Sequence, residues 1–382
     1  MPAALARLRV DHIGSLLRPE ALKAAFRDNA VGKLSDADLV RAQDDAIRAV
    51  VASQEAHGLP VITDGEYRRL NWQVSFSEVE GWDLSAVSRR AFLGSPDNRM
   101  PGEQALTRGE DAVLTYRTPA TATLRLARNF PLFEYQFAQA LTTRPAKAMI
   151  MGPDRVVQMF DAPGSRAIYP DTGRFMADVV RVQHEMAKGL AAAGCRYLQL
   201  DEPSYTGYVD PPTVERMRAG GDDPIKLLDR AIAATNAVTA GLDLTVGVHI
   251  CRGNRASMWH REGTYDAIAE KLFTGLACDR LLLEYDSERA GSFAPLRFVP
   301  KGKIAVLGLI TTKHGRVETV DELKRRIDDA SRHLPLDQLA LSPQCGFASG
   351  IGGNLLSEDE QWRKLDVMLE TARQVWGGTG AA

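Results

Sequence analysis

The sequence contains the apolar run Leu244-Thr245-Val246-Gly247-Val248-His249-Ile250-Cys251, which ends in two side chains able to bind a metal. A short apolar run of this kind is typical of a buried β-strand. Side chains alternate along a strand, so His249 and Cys251 point to the same side near its carboxyl end. Similar runs recur before and after this one, and their number predicts the fold.

Eight such runs can be counted, each ending in polar or glycine-bearing residues and most followed by a helical pattern. They are Val10–Ser15, Pro60–Glu66, Lys147–Pro153, Tyr197–Glu202, Leu244–Cys251, Arg280–Asp286, Ile304–Thr311 and Leu339–Pro343. Strands that alternate with helices indicate βα units and a parallel sheet. Eight units in a chain of this length predict an α/β fold of the TIM-type (β/α)8 barrel class.

The segments between the runs agree with this prediction. Ser35-Asp36-Ala37-Asp38 precedes a helical pattern that ends before Gly58 and Pro60. The predicted long helices are Leu39–Glu55, Thr172–Ala193, Asp321–Arg332 and Glu358–Val375. The segment 84–143 is rich in glycine, proline and threonine, which predicts an inserted hairpin and loop after the second strand. Without a linker to divide it, the chain 1–382 is predicted to be a single barrel with this insertion.

Composition restricts the classes of function. Of the 382 residues, 45% are hydrophobic, and 47 Lys and Arg balance 49 Asp and Glu for a net charge of −2. This balance argues against a nucleic-acid or membrane partner, and no apolar stretch is long enough for a spanning helix or a signal core. Four cysteines are too few for a disulfide framework, which predicts a cytoplasmic location. Cys195 and Cys278 are predicted to be packing residues, and the oligomeric state is left open.

Four side chains at the ends of separate runs form a candidate metal site: His249, Cys251, Glu284 and Cys345. Imidazole, thiolate and carboxylate ligands in this combination suit Zn²⁺. For an isolated His-x-Cys pair, a core histidine beside a free thiol is the commoner explanation. For Glu284, the alternative is a salt bridge to Arg280 or Arg289. Convergence of strand ends in a barrel favours the metal.

With these residues in view, the chain resembles the catalytic half of cobalamin-independent methionine synthase, and more closely the short single-barrel bacterial relatives. The fragments that carry the resemblance occur in the family's order: His12-Ile13-Gly14-Ser15, Asp64-Gly65-Glu66, Leu200-Asp201-Glu202-Pro203, His249-Ile250-Cys251, Glu284 and Leu341-Ser342-Pro343-Gln344-Cys345-Gly346-Phe347. The resemblance implies zinc bound by His249, Cys251, Glu284 and Cys345. It also implies homocysteine held by Ser15, Glu66 and Asp201.

The implied reaction is methyl transfer to the thiol of homocysteine, from 5-methyltetrahydrofolate or another methyl donor, to give methionine. Zinc deprotonates a bound thiol and so makes it a nucleophile at neutral pH. The donor's leaving group must gain a proton. The segment after the seventh strand places Lys313 where the long enzymes carry a histidine, with His314 next to it, so these two are the candidate acids.

Each predicted substrate residue also has a simpler interpretation. Ser15 is a possible cap for a helix beginning near Pro19, Asp201-Glu202-Pro203 a possible turn, and Glu66 a possible partner of Arg68 or Arg69. A second enzyme hypothesis is a zinc-dependent alkyl transferase such as an epoxyalkane:coenzyme M transferase, for which Arg18, Arg68 and Arg252 could bind a sulfonate. A third is a non-catalytic zinc-binding barrel. Trp72 and Trp259 are candidates for stacking on a pterin, with packing as the commoner role.

Overall fold

A six-stranded parallel sheet forms the centre of the computed structural model, which describes Leu5 and residues 8–82 and 117–380. Its strands are β3 (Lys147–Met151), β4 (Tyr197–Asp201), β5 (Thr245–Ile250), β6 (Arg280–Glu284), β7 (Ile304–Ile310) and β8 (Leu339–Pro343), and each pairs with the next in sequence. All six are buried along their whole length. Strands covered on both faces explain why the sequence shows continuous apolar runs rather than alternation.

The register of the sheet aligns the carboxyl ends of neighbouring strands. Asp201 of β4 pairs with His249 of β5, and Ile250 pairs with Leu283, so Glu284 follows one position later on β6. Glu284 in turn pairs with Gly308 of β7, and Gly308 pairs with Ser342 of β8. The predicted polar groups therefore lie at one end of the sheet.

The first two predicted strands make single bridges instead of ladders. Val10 bridges Leu341 of β8, and Ile62 bridges Ala146, the residue before β3, so the two segments extend the sheet at opposite edges. The segments also meet each other, because Leu16 N–H donates to Gly65 O at 3.1 Å and the Thr63 hydroxyl donates to Gly14 O at 2.8 Å. The spatial order of the eight predicted strands is therefore that of the predicted barrel.

Helices cover the outside of the sheet. Their bounds are α1 (Glu20–Ala30), α2 (Asp36–His57), α3 (Phe130–Gln139), α4 (Pro153–Gln158), α5 (Thr172–Ala192), α6 (Pro211–Ala219), α7 (Pro224–Thr239), α8 (Ala269–Gly275), α9 (Val320–Ser331) and α10 (Glu358–Trp376). The four predicted long helices correspond to α2, α5, α9 and α10, and no end differs from the prediction by more than three residues. Ser35 caps α2 through Asp38 N–H, and Gly58 ends it in the left-handed conformation.

The predicted insertion is only partly visible, because residues 83–116 lie outside the described part of the chain. A short antiparallel pair, β1 (Val79–Glu80) with β2 (Arg125–Leu126), brackets them. The expectation of a hairpin and loop through residue 143 is wrong for its last part, where α3 forms. Asn129 accepts a hydrogen bond from Leu132 N–H and so caps this helix, and Pro131 stands in its first turn. These start signals outweigh the loop-like composition of the residues before them.

The amino-terminal end of the sheet holds a buried ionic network. The carboxylate of Asp11 binds Lys147 Nζ at 2.8 Å and Arg280 Nε at 3.2 Å, and the Tyr197 hydroxyl donates to it at 2.6 Å. All three charged side chains are fully buried. Arg280 is therefore committed to Asp11, and the predicted alternative pairing of Arg280 with Glu284 is wrong.

Among the described residues, no helix is both long enough and apolar enough to cross a membrane.

Candidate metal centre and substrate site

Three of the four predicted metal ligands meet in the structure. His249, Cys251 and Cys345 are buried, and their ligand atoms all lie within 4.8 Å of one another. His249 and Cys251 come from the end of β5, whereas Cys345 follows β8, three strands further along the sheet. The curvature of the sheet thus joins residues about ninety positions apart.

The donor set suits a soft divalent metal. Neither ring nitrogen of His249 has a nitrogen or oxygen hydrogen-bond partner, although the side chain is buried. A buried polar atom without a partner is costly unless something outside the protein chain satisfies it. Hydrogen bonding to Cys345, together with burial, raises the pKa of the Cys251 thiol well above its usual range. A bound zinc ion would satisfy the imidazole and hold the thiols as thiolates.

Glu284 lies outside this group of three in the structure. Its side chain is completely buried at the end of β6, where Oε2 accepts from Arg252 N–H at 2.6 Å and Oε1 lies 3.3 Å from Arg289 Nη2. Burial acts to raise the pKa of Glu284, but the positive charges of Lys313, Arg252 and Arg289 lower it below its usual value. The salt bridge to Arg289 that the sequence offered as an alternative is present, and ligation by Glu284 stays a prediction.

Ser15 lies beside the loop that carries Cys345. Its carbonyl accepts from Phe347 N–H at 2.9 Å, and a Cβ at Gly346 would overlap its hydroxyl oxygen. The alternative that Ser15 caps a helix is wrong, because Pro19 is the N-cap of α1 and no side chain caps it. Glycine at 346 is therefore what allows the Ser15 hydroxyl to approach the metal-binding loop.

Glu66 is held in a strained and buried position. It adopts a left-handed backbone conformation with φ of 59°, which residues other than glycine adopt rarely. Arg69 Nη1 donates to Oε1 at 3.0 Å, whereas the buried Oε2 has no partner. Burial raises the pKa of Glu66 to about 8; Arg69 opposes this rise and Asp201 adds to it. A cationic ligand would give the free Oε2 a partner and would balance the negative charge of the ionised Glu66 carboxylate.

Asp201 and its neighbour Glu202 have different roles. Asp201 ends β4 beside His249, accepts a hydrogen bond from Gln199 Nε2 at 2.7 Å, and has a raised pKa, mainly because it is buried. Glu202 accepts from Asp154 N–H and Arg155 N–H at 3.0 Å each, so it closes the start of α4. A short 3-10 helix, Pro203–Tyr208, follows, which agrees with a turn after Asp201. Only Asp201 faces the candidate metal centre.

The two candidate acids follow β7. Lys313 is buried, and its Nζ donates to Gly253 O and Asn254 Oδ1, both at 2.9 Å. His314 is half-buried, and its pKa is lowered by burial and by the positive charge of Lys364. A histidine with a lowered pKa is mostly neutral at pH 7 and is therefore a poor proton donor there. Their catalytic roles stay predictions.

The three arginines considered for a sulfonate all bind protein groups instead. Arg18 donates to the carbonyls of Glu66 and Arg69, Arg68 binds Asp44, and Arg252 donates to Gly263 O. A sulfonate would have to displace these contacts, so the structure does not favour the coenzyme M hypothesis.

Sequence reasoning did not identify two positioning residues. Glu134 of α3 is buried and binds the Arg69 side chain that holds Glu66, with Arg69 Nη2 donating to Oε2 at 2.6 Å. It lies within the segment predicted as loop, so nothing in the sequence pattern set it apart. Arg289 was considered only as a partner of Glu284, yet its guanidinium also lies 4.4 Å above the ring of Trp259.

Sequence comparisons relate almost the whole chain to known proteins. The family model described as the catalytic domain of cobalamin-independent synthase matches residues 10–374. The uncharacterized protein YxjH of Bacillus subtilis is 37% identical over 374 residues, covering 97% of this chain and 95% of its own. The methionine synthase of Pyrococcus abyssi is 26% identical over 368 residues, covering 95% and 91%.

Two solved structures have a fold similar to that of this chain. A crystal structure described as a putative vitamin-B12 independent methionine synthase from Listeria monocytogenes is similar with a TM-score of 0.72 and 27% identity, covering 97% of this chain and 98% of that one. A B12-independent methionine synthase from Shewanella, in complex with selenomethionine, has the same fold with a TM-score of 0.69 at 21% identity, covering 96% and 97%. Since the family model spans nearly the whole chain, this protein belongs to the cobalamin-independent methionine synthase family, as a member of its catalytic-domain group.

Proposed function

We propose that this protein is a zinc-dependent methyltransferase that transfers a methyl group to the thiol of homocysteine and releases methionine. The observation that carries the proposal is the buried cluster of His249, Cys251 and Cys345, whose imidazole has no nitrogen or oxygen partner in the described part of the protein. Zinc in this cluster would lower the pKa of a coordinated substrate thiol and keep it ionised at neutral pH. We further propose Glu284 as the fourth protein ligand, because its carboxylate ends the neighbouring strand.

The substrate's amino-acid end has complementary groups nearby. The free oxygen of Glu66 and the carboxylate of Asp201 are suited to pair with an ammonium group, and the charge of Asp201 adds to the cost of ionising Glu66 until a cation arrives. The Ser15 hydroxyl, beside Gly346, is suited to donate to the substrate carboxylate. Binding of the ammonium and carboxylate groups in this way would orient the substrate thiol toward the two cysteines, in position to attack the methyl group.

Once the methyl group has been transferred, the remainder of the methyl donor is the leaving group, and it must take up a proton. Lys313 is the better candidate donor of that proton, because burial and the positive charge of Lys364 disfavour the charged form of His314, whereas Lys313 has the carboxylate of Glu284 nearby to stabilise its charge. Its ammonium group currently donates to Gly253 O and Asn254 Oδ1, so it would have to exchange one of these partners for the leaving group. The donor itself, 5-methyltetrahydrofolate or another methylated compound, is left open by these residues.

X-ray absorption on the zinc-loaded protein tests the proposal against a non-catalytic zinc-binding barrel. Adding homocysteine should replace an oxygen or protein ligand with a third sulfur, whereas a storage or regulatory site would keep its coordination unchanged. A product screen with homocysteine and several methyl donors, scored for methionine and repeated after chelation, tests turnover. An unchanged sulfur count together with no methionine would refute the proposed function.

A further inference from the structure

Cys345 reaches the candidate metal centre from a loop, whereas the other two ligands come from the end of one strand. His249 and Cys251 are two residues apart at the end of β5, so the strand itself sets the distance between them. Cys345 lies two residues beyond the end of β8, and β6 and β7 lie between β5 and β8 in the sheet. Among the described strands, no ladder therefore joins β5 to β8. The distance between the two cysteines depends instead on contacts between loops.

Asn254 makes such a contact. It lies three residues after Cys251, and its Nδ2 donates at 2.9 Å to Gly346 O, the carbonyl of the residue after Cys345. The same amino group donates to Thr312 Oγ1 at 2.8 Å, and this hydroxyl lies 3.1 Å from the same carbonyl oxygen. The Asn254 side chain is only 4% exposed, so these bonds are shielded from water. The loop after β5 is thus joined directly to the loop after β8.

The orientation of the Asn254 amide is fixed by its neighbours. The Lys313 ammonium can only donate, so the amide oxygen must face it, at 2.9 Å. A backbone carbonyl can only accept, so the amino group must face Gly346 O. The oxygen and both amino protons are thereby used, and the side chain cannot turn without losing hydrogen bonds in a buried site. The contact with Gly346 O is therefore held in one direction.

The sequence after β5 allows Asn254 to reach this position. Gly253 has a φ of 98°, which a residue with a side chain rarely adopts, and a Cβ there would overlap the ring of His260. The carbonyl of Gly253 also accepts from Lys313 Nζ at 2.9 Å. Glycine at 253 is therefore what permits the turn between Cys251 and Asn254.

The other backbone contacts of the Cys345 loop lead to different parts of the fold. Gln344 N–H donates to the end of β7 at 2.8 Å, and Phe347 N–H donates to Ser15 O at 2.9 Å. Asn354 Nδ2 lies 3.5 Å from the carbonyl that Asn254 binds, which is a longer and weaker contact. Of these contacts, that of Asn254 is the one made by the loop after β5, which carries the other cysteine.

We propose that Asn254 is a positioning residue of the metal centre and holds Cys345 at the distance from Cys251 that one bound ion requires. The proposal rests on the proposed metal ligands and not on the methyl-transfer reaction. Residues that orient metal ligands without touching the metal typically change metal affinity by about 10–100-fold when they are replaced. A bond to the peptide next to a ligand acts in the same way, because it limits the movement of the ligand's Sγ. Without this bond, the ion would be left mainly with His249 and Cys251.

The zinc affinity of the full-length protein, measured by competition with a chelator, tests the proposal. Asn254→Asp keeps the size of the side chain and the acceptor for Lys313, but it places a carboxylate oxygen against Gly346 O. We expect zinc affinity to fall by about tenfold or more. The added negative charge by itself would favour a cation, so a weaker affinity cannot result from charge. Asn254→Ala removes the same bond without a charge and keeps the test usable if Asn254→Asp fails to fold.

Asn129→Asp is the matched control. Nδ2 of Asn129 also donates to a backbone carbonyl, Met186 O at 2.9 Å, but it does so between the outer helices α3 and α5. This variant should keep the zinc affinity of the wild-type protein. Cobalt in place of zinc gives a readout that a loss of stability alone does not change, because its sulfur-to-metal absorption band reports the number of bound thiolates. The wild-type protein should show two thiolates and the Asn254 variants fewer.

The outcomes separate this proposal from the proposed function. Wild-type zinc affinity and an unchanged cobalt band in the folded Asn254 variants would overturn the positioning role, as would an equal loss of affinity in Asn129→Asp. If the wild-type protein binds neither zinc nor cobalt, the proposed metal centre fails and the role of Asn254 with it. If the protein binds both metals but forms no methionine with any donor, the methyl-transfer proposal fails, while the metal titrations still decide the role of Asn254.

Discussion

The pH dependence of amino-acid binding follows from the buried carboxylate of Glu66. Its pKa is about 8, so the group is protonated in most molecules at pH 7. The ionised fraction rises from about 0.1 at pH 7 to about 0.5 at pH 8, given one proton and this pKa. An ammonium ligand pairs only with the ionised form. We therefore expect amino-acid affinity to increase with pH over this interval.

The expected magnitude is moderate and measurable. A fivefold rise in the ionised fraction corresponds to a fivefold lower Kd at pH 8 than at pH 7, or about 1 kcal/mol. Binding at pH 7 should release about 0.9 proton per ligand, and at pH 8 about 0.5. Methionine is the best ligand for this measurement, because it presents the same amino-acid end without a thiol proton. The measurement uses metal-free protein, so that the positive charge of a zinc ion does not act on Glu66.

Titration calorimetry in two buffers with different ionisation enthalpies gives the number of protons directly. Glu66→Gln should weaken methionine binding and abolish the release. Glu134→Gln is the matched control: Glu134 is also a buried carboxylate on Arg69 with a raised pKa, but both its oxygens are bound by Arg69. Its replacement frees more of the Arg69 charge for Glu66 and should therefore reduce the release without abolishing it. A release that persists in Glu66→Gln, or that is absent from the wild-type protein at pH 7, would refute the reasoning.

Three further predictions concern the metal, the substrate carboxylate and the fold. Cys345→Ser should lose zinc in metal analysis, and retention at full stoichiometry would mean that the ligand is wrongly assigned. Gly346→Ala should push Ser15 aside and weaken homocysteine binding by about tenfold while zinc is retained; unchanged affinity in calorimetry would remove Ser15 from the substrate site. Asp11→Asn leaves Lys147 and Arg280 buried without their anion and should lower the free energy of unfolding by about 3–5 kcal/mol, and a urea midpoint equal to that of the wild-type protein would contradict this.

Much of the fold could be predicted because the relevant signals are local. The apolar runs at Lys147, Tyr197, Leu244, Arg280, Ile304 and Leu339 all became strands of the parallel sheet. Helix α2 begins at a serine cap and ends at a glycine, both visible in the sequence. Helix α3 was missed because its cap, Asn129, follows a segment whose composition favours a loop. The bridges at Val10 and Ile62 were also beyond prediction, since the length of a ladder depends on how two strands meet.

The sequence by itself determined the type and order of the chemical groups: an imidazole, two thiols and several carboxylates, each at the end of an apolar run. It could do so because strand formation and the alternation of side chains are local properties. Only the tertiary structure decided which of these groups meet. It brought Cys345 to His249 and Cys251, paired Glu284 with Arg289, and left one oxygen of Glu66 free. Distances, burial and charge depend on contacts between residues far apart in the chain, and no local pattern records those contacts.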